Sequence, residues 1–284
     1  MNSFLTWWQT LPERIDPVIF SMGTFQIKYY GVMYIVAFSI TYYLLNYRIR
    51  RKEFCIEKEK LENFFFTVII SVLIGGRLGY VLFYNLMYYL KNPLEIFLPF
   101  SFHGGFRFTG IAGMSYHGAV IAAFIGTWLF CRKNKIDLWR FTDFVMPAVP
   151  LGYTFGRLGN FINGELYGRE TSTWIGMNFP LAGGGALRHP SQLYEAFFEG
   201  IFIFIILWSL RNKKFAKGFF FSVYLILYGL VRFMIEYFRE PDDHLGFVLL
   251  NLSMGQVLCL VMIISGVLIL LINRKIINRK KAVI

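Results

Sequence analysis

The chain reads as an all-α polytopic membrane protein with seven transmembrane helices, its N-terminus outside and its C-terminus cytoplasmic. Three observations predict this. Of 284 residues, 56% are hydrophobic and only 16% are charged, against about 45–50% and about 25% in an ordinary soluble domain. The mean hydropathy is +0.50, which excludes a disordered chain. The Lys and Arg residues are gathered into short segments that separate long apolar runs.

A helix needs about 20 apolar residues to cross the hydrocarbon core. Residues 29–47 carry no charge and qualify as the first span. Residues 64–89 qualify with one internal cation, Arg77, and residues 111–131 with His117 inside them. The fourth span, 141–162, holds Asp143 and Arg157. The fifth, 191–210, begins with Glu195 and Glu199 in its first turns. The sixth, 218–238, holds Arg232 and Glu236, and the seventh, 248–273, is uncharged. All belong to a single integral-membrane domain, 1–284, with small outer-face segments at about 1–28, 90–110 and 163–190. The start, MNSFLTWWQTLPERIDPVIF, has no basic region before an apolar stretch, so the first span is expected to serve as its own insertion signal.

Charge orients the spans. The segments 48–60, 132–140, 211–217 and 274–281 hold nineteen of the twenty-nine Lys and Arg residues. With seven spans all four fall on one side, and the excess of Lys and Arg makes that side the cytoplasm. The formal net charge of +12 is therefore a topology signal, and no nucleic-acid partner is expected. Cys55, Cys131 and Cys259 are far apart in sequence, and the four histidines form no metal motif, so no metal or cofactor is expected.

Ionisable groups inside spans are costly and mark candidate sites. Tyr30, His117, Arg157, Asn160, Glu195, Arg232 and Glu236 all fall in the outer halves of their spans in this topology, while Arg77 sits near mid-depth. Tyr228, Arg232 and Glu236 share one helix face by their i, i+4, i+8 spacing, and Arg239 continues that side. Guanidinium groups on two helices suit a phosphate, whose oxygens the planar fork binds in pairs. Glu165 and Glu236 are expected to hold these arginines when the phosphate is absent. Structural alternatives stand beside each of these. Arg232 and Glu236 also fit a packing ion pair, His117 a core histidine, and Arg77 a structural cation among glycines that permit close helix packing. Glu195 and Glu199 fit the wet start of a helix, where Glu is favourable.

At this point the residues resemble a family. The run GRLGNFINGELYGR (156–169) is similar to the signature of the prolipoprotein diacylglyceryl transferases. So are GMSYHGA (113–119), RHPSQLYEA (188–196) and YGLVRFMIEYFREPD (228–242). DPVIFSMG (16–23), YYGVMY (29–34), GGRLGYVLFYN (75–85) and SMGQ (253–256) follow the same pattern, in family order along nearly the whole chain. The resemblance implies a bacterial inner-membrane transferase acting in the first step of lipoprotein maturation, its active site towards the outer leaflet. It would move the diacylglyceryl group of phosphatidylglycerol to the thiol of the lipobox cysteine in a prolipoprotein signal peptide, forming a thioether and releasing glycerol phosphate. No cofactor is implied.

By matching motifs, the family's essential histidine corresponds to His117 and its phosphate-handling arginines to Arg157 and Arg232. Tyr30, Asn160, Glu165, Gly168, Tyr228, Glu236 and Arg239 fall at other positions the family implicates, and Arg77 joins them as a substrate-binding candidate. The chain departs from the pattern at Ala119, where a second glycine is usual. SFHGG (101–105) mimics the histidine motif and makes His103 a rival to His117. A thiol with a free pKa of about 8.5 must become a thiolate. His117 is the natural base, and an arginine field that lowers the thiol pKa is the alternative. The non-enzyme alternative for the whole chain is a transporter or channel with an intramembrane anion site.

Overall fold

The computed structural model describes residues 3–23, 25–96, 98, 100–101, 107–108, 113–240, 247–249 and 252–282. They are mostly helical. Two compact units are present: Met1–Phe54 with Thr142–Ile284, and Cys55–Phe141.

The first unit opens with helices α1 (Ser3–Gln9) and α2 (Leu11–Arg14) and an antiparallel hairpin, β1 (Val18–Met22) and β2 (Phe25–Lys28). The second strand runs straight into α3 (Tyr29–Arg50). The second unit contains α4 (Lys58–Tyr84), α5 (Leu86–Lys91), a short hairpin, β3 (Phe100–Ser101) with β4 (Arg107–Phe108), and α6 (Tyr116–Lys133). Helix α7 (Leu138–Val145) is followed, again in the first unit, by α8 (Val149–Ile162). A continuous helical stretch then runs through α9 (Ser191–Tyr194), a π-helical segment (Glu195–Phe202) and α10 (Ile203–Leu210). Helix α11 (Phe219–Ile235), a hairpin of β5 (Phe247–Leu249) and β6 (Leu252–Ser253), and α12 (Met254–Ala282) complete the chain.

Among the described residues, three helices are long and apolar enough to cross a membrane: Lys58–Tyr84, Ser191–Leu210 and Met254–Asn273. Phe219–Ile235 is apolar but shorter. Large apolar side chains stand exposed along them, including Phe66, Leu73 and Phe83 on α4 and Val261, Ile264 and Leu268 on α12. That is the dress of a helix facing lipid. Helix α3 is long, but it contains six tyrosines, whose hydroxyls lower its hydropathy.

Several boundaries differ from the expected spans. The second expected segment breaks at Asn85, whose φ of −148° and ψ of 38° leave the helical region. The third begins as helix only at Tyr116, with Ser115 as its N-cap accepting from the Gly118 amide at 3.2 Å. His117 therefore sits in the first helical turn. The fourth is two helices with a break at 146–148, because Pro147 and Pro150 lack the amides that continuous helix needs. In the seventh, the residues before Met254 include a hairpin.

Close backbone approach holds the second unit together. Gly75 and Gly79 of α4 face Gly118 and Ala122 of α6, and Ser71 faces Gly126. Small residues four apart on both helices let the backbones touch. A Cβ on Gly118 would lie 2.3 Å from the Gly75 carbonyl oxygen. Phe64 meets Phe141 edge-on, with ring centroids 4.7 Å apart.

In the first unit, Ile203, Leu207, Phe220 and Tyr228 form a buried cluster against which Tyr153 packs. Its far end is locked by charge. Arg48 Nε pairs with Glu53 at 2.6 Å, and Arg48 also donates to the Phe144 carbonyl. Glu53 reaches Arg211 at 3.4 Å, whose guanidinium lies over Trp208. Asp143 accepts from the amides of Gly218 and Phe220 at 2.7 and 2.8 Å. It thereby caps the orphan donors at the start of α11. A smaller apolar cluster of Phe161, Met177 and Phe179 receives Trp8 and Leu11 from the N-terminal helices. Trp8 donates to the Ile175 carbonyl at 3.0 Å.

Gly118→Ala is expected to lower stability by about 1–3 kcal/mol, because no rotamer change moves a backbone oxygen away. Gly156→Ala, with nothing within 4 Å of the added carbon, should not. Thermal unfolding of both variants in detergent checks the contrast.

Candidate functional site

The polar residues of the first unit converge on one side chain that the sequence reading set aside. Glu195 is 0% exposed, as is Glu199. Both project from the π-helical segment, and Gly200 lets that segment close on Thr154 of α8, where a Cβ would lie 2.0 Å from Oγ1. Thr154 Oγ1 also donates to the Ala196 carbonyl at 3.1 Å. The two glutamates are not the wet start of a helix. They are the floor of a charge cluster.

Three arginines meet the Glu195 carboxylate. Arg157 Nε lies 2.7 Å from Oε2, while Arg232 Nη1 and Arg239 Nη1 lie 2.8 and 3.2 Å from Oε1. Arg232 also pairs with Glu236 at 3.0 Å, through Nη2, and approaches Glu199 at 3.6 Å. Tyr153 completes the ring. Its hydroxyl accepts from Arg157 Nε at 2.6 Å and donates to Glu199, and its ring lies 4.9 Å from the Arg157 guanidinium carbon. Tyr228 packs edge-on against Tyr153, with centroids 5.8 Å apart.

A second layer orients this one. Arg157 Nη1 donates to Asn160 Oδ1 at 3.3 Å, and Asn160 Nδ2 donates to Glu165 at 2.8 Å. Glu165 thus holds the asparagine rather than an arginine, a correction to its expected part. Its own carbonyl is pinned by Gln192 at 2.6 Å, and the Leu166 carbonyl by Ser191 at 2.9 Å. Leu166 adopts a φ of +58°. A left-handed leucine costs about 1–2 kcal/mol and persists only where surroundings impose it. Glu236 accepts from Ser253 Oγ at 3.1 Å. Tyr30 shares a hydroxyl contact with Tyr34 at 3.0 Å at the start of α3.

Gly168 and Arg239 face each other as an antiparallel bridge, and the Arg169 amide donates to the Phe238 carbonyl at 2.9 Å. This pairing delivers Arg239 to Glu195. A Cβ on Gly168 would lie 2.2 Å from the Phe238 oxygen, which is why a glycine stands there. Next to it, His189 shares a hydrogen bond with the Tyr194 hydroxyl at 3.0 Å. Partial burial lowers its pKa below the ordinary imidazole value.

Two candidates belong to the second unit. Arg77 is buried and its donors are spent on backbone carbonyls: Ile96 at 2.7 Å, Glu95 at 2.5 Å and Gly113 at 3.3 Å. The guanidinium lies over Tyr89. These contacts pin that end of the unit and fit the structural-cation alternative. His117 is exposed in the first turn of α6, beside the Tyr116 ring. The rival His103 lies outside the described residues.

The cluster is formally balanced, with Arg157, Arg232 and Arg239 against Glu195, Glu199 and Glu236. The arginine side chains are 12%, 13% and 15% exposed, whereas Glu195 and Glu199 are at 0%. With Glu236 at 9%, the three arginine side chains are the more accessible members, a rim with Glu195 and Glu199 behind it. Such a rim can take an anion with several acceptor oxygens.

Gly168→Ala is expected to break the pairing with Arg239. Hydrogen exchange of the Arg169 amide reads this directly, and an amide as protected as in the wild type would refute it.

The family model of the prolipoprotein diacylglyceryl transferases matches residues 17–272. The phosphatidylglycerol–prolipoprotein diacylglyceryl transferase of Chlorobaculum tepidum is 54% identical over 276 residues, which is 97% of this chain and 96% of that protein. Proteins of the same name from Desulfotalea psychrophila and Campylobacter lari are 46% and 44% identical. They match 90% and 92% of this chain over 92% and 95% of their own length.

Proposed function

The chain belongs to the prolipoprotein diacylglyceryl transferase family, and on that premise we propose that it transfers the diacylglyceryl group of phosphatidylglycerol to the lipobox cysteine thiol of a prolipoprotein. The observation that carries the reading is the rim of three guanidinium groups, each held from behind by carboxylate. It suits a phosphate diester that must be gripped as it leaves.

The thiolate sulfur attacks the glycerol carbon bonded to the phosphate oxygen. A carbon–sulfur bond forms, the carbon–oxygen bond breaks, and its electron pair departs on glycerol phosphate. Arg157 and Arg232 stabilise the charge growing on that oxygen, which low-dielectric surroundings make worth more than in water. Arg239 adds a third donor to the same rim. Asn160 and Glu165 fix the tilt of Arg157, and Glu236 with Ser253 fixes that of Arg232. Gly168 sets Arg239 in place, and Tyr228 backs the Tyr153 ring. Tyr30 supplies a hydroxyl for the lipid headgroup. His117 takes the thiol proton. No metal or cofactor enters this scheme.

Seven spans, with the N-terminus outside and the C-terminus cytoplasmic in the bacterial inner membrane, complete the reading. It is supported by helix within each expected span and by basic segments 48–60, 132–140, 211–217 and 274–281 on one side. In that topology the rim faces the outer leaflet, where the signal-peptide cysteine arrives. The lipobox peptide, phosphatidylglycerol and the surrounding lipid are its partners.

The test is incubation of the purified protein with phosphatidylglycerol and a lipobox peptide. Mass spectrometry should show one diacylglyceryl group added to the cysteine, and an unmodified peptide would overturn the reading. Arg157→Lys and Arg232→Lys should each lower kcat by roughly 100-fold or more, because a single ammonium does not replace a forked donor. Full activity in both sinks the phosphate assignment. His117→Gln should be nearly inactive while still binding phosphatidylglycerol vesicles; if it turns over normally, His117 is not the base.

A further inference from the structure

We infer that Glu195, presented by the π-helical segment, is the positioning residue that sets the geometry of the three rim arginines. This rests on the phosphate-gripping function proposed above and adds to it a role for a residue that the sequence reading left at the start of a helix.

The case is geometric. Among the described residues, Glu195 is the one carboxylate that touches guanidinium groups from three separate stretches of chain: Arg157 on α8, Arg232 on α11, and Arg239 beyond it. Each oxygen has a distinct partner set. Oε2 faces Arg157, and Oε1 is shared by Arg232 and Arg239. The contact to Arg157 is made through Nε, the nitrogen nearest the stem. The Nε hydrogen itself goes to the Tyr153 hydroxyl at 2.6 Å, so the carboxylate acts on that guanidinium by charge, from its stem side. With no exposure of its own, Glu195 cannot meet the substrate; it acts through the arginines.

The backbone under it is built for this. The π-helical segment runs from Glu195 to Phe202, and one wide turn inside an otherwise regular helix is a common device for re-aiming side chains at functional sites. Gly200 and Thr154 clamp that segment to α8, so the carboxylate and Arg157 are referenced to the same contact. Glu199, one turn on, backs Arg232 and is tied through the Tyr153 hydroxyl to Arg157. The pair is thus linked twice, once by charge and once by hydrogen bonds.

A positioning carboxylate and a merely structural one differ in what their loss does. Removing a negative charge behind the rim cannot weaken its attraction for an anionic headgroup, but it releases three arginines from their set angles. Steady-state kinetics with phosphatidylglycerol and a lipobox peptide separate these effects, with wild-type transfer measured first. No wild-type transfer would overturn the function itself, and this inference with it. Given wild-type transfer, Glu195→Gln is expected to show a kcat lower by roughly 100-fold, the loss that a small misplacement brings. Its KM for phosphatidylglycerol should be equal to or below that of the wild type. Glu195→Asp, which keeps the charge, should recover about tenfold of the lost kcat. The inference is overturned by a Glu195→Gln kcat within about twofold of wild type, by a raised KM at unchanged kcat, or by an Asp variant no better than Gln. Should Glu195→Gln fail to accumulate in the membrane, Glu195→Asp decides alone. A reduced kcat at unchanged KM supports the inference, and wild-type kcat or a raised KM overturns it.

Discussion

Charges removed from water have to be paired, and the arrangement of the first unit follows from that requirement. Three arginines reach one buried carboxylate, and two more carboxylates hold the arginine nearest the centre. Breaking a buried pair by removing one partner typically costs about 3–5 kcal/mol, because the other is left alone in a poor solvent. Each helix that contributes a member is thereby constrained in rotation and depth. Helix α8 cannot turn without pulling Arg157 off Glu195, and α11 cannot turn without taking Arg232 off Glu195 and Glu199 together. The hydrogen bonds from Asn160, Glu165 and Ser253 are affordable because this central arrangement is fixed.

The helices themselves are brought close by small side chains rather than by hydrophobic force, which lipid tails would not supply. Gly75, Gly79, Gly118, Ala122 and Gly126 do this in the second unit, and Gly200 against Thr154 does it beneath the charge cluster. In both units polar work is done where backbones are closest. Arg77 satisfies three carbonyls near the α4–α6 seam, and Glu195 rises from the segment that Gly200 allows to approach α8. The far end of the first unit repeats the theme with Arg48, Glu53, Arg211 and Asp143.

Much of this was legible in the sequence, for reasons tied to residue type. Arg157 with Asn160, and Arg232 with Glu236, announce themselves by spacing on helix faces within apolar runs. Gly168 and Arg239 stood out through their motifs, although their pairing depends on a turn of chain that spacing does not encode. Glu195 and Glu199 were passed over because acids in the first turns of a helix are usually solvated and favoured by the helix dipole. Their i, i+4 spacing matches that of Tyr153 and Arg157, and this was the available signal. The π-helical segment leaves no mark in residue pattern at all. Pro147 and Pro150 do mark the break between α7 and α8, but hydropathy averaged over the segment hides it. Arg77 could be read either as a structural cation or as a substrate ligand, because its partners are backbone carbonyls, which no side-chain pattern reveals.

The balanced cluster also bears on how the protein is made. Insertion into a bilayer proceeds segment by segment, and an Arg or Asp at the centre of an isolated span costs about 2.5–3.5 kcal/mol to insert. In the seven-span topology proposed for this chain, Arg157 enters before any of its glutamates has been synthesised. Glu195 and Glu199 follow one loop later, and Arg232 and Arg239 later still. The first arrival is uncompensated until the fifth segment is in, and Glu195 until α8 and α11 both flank it. In that topology the same charges that would grip a phosphate tie the order of insertion to the fold: a chain halted before α11 would hold unbalanced charge in the membrane.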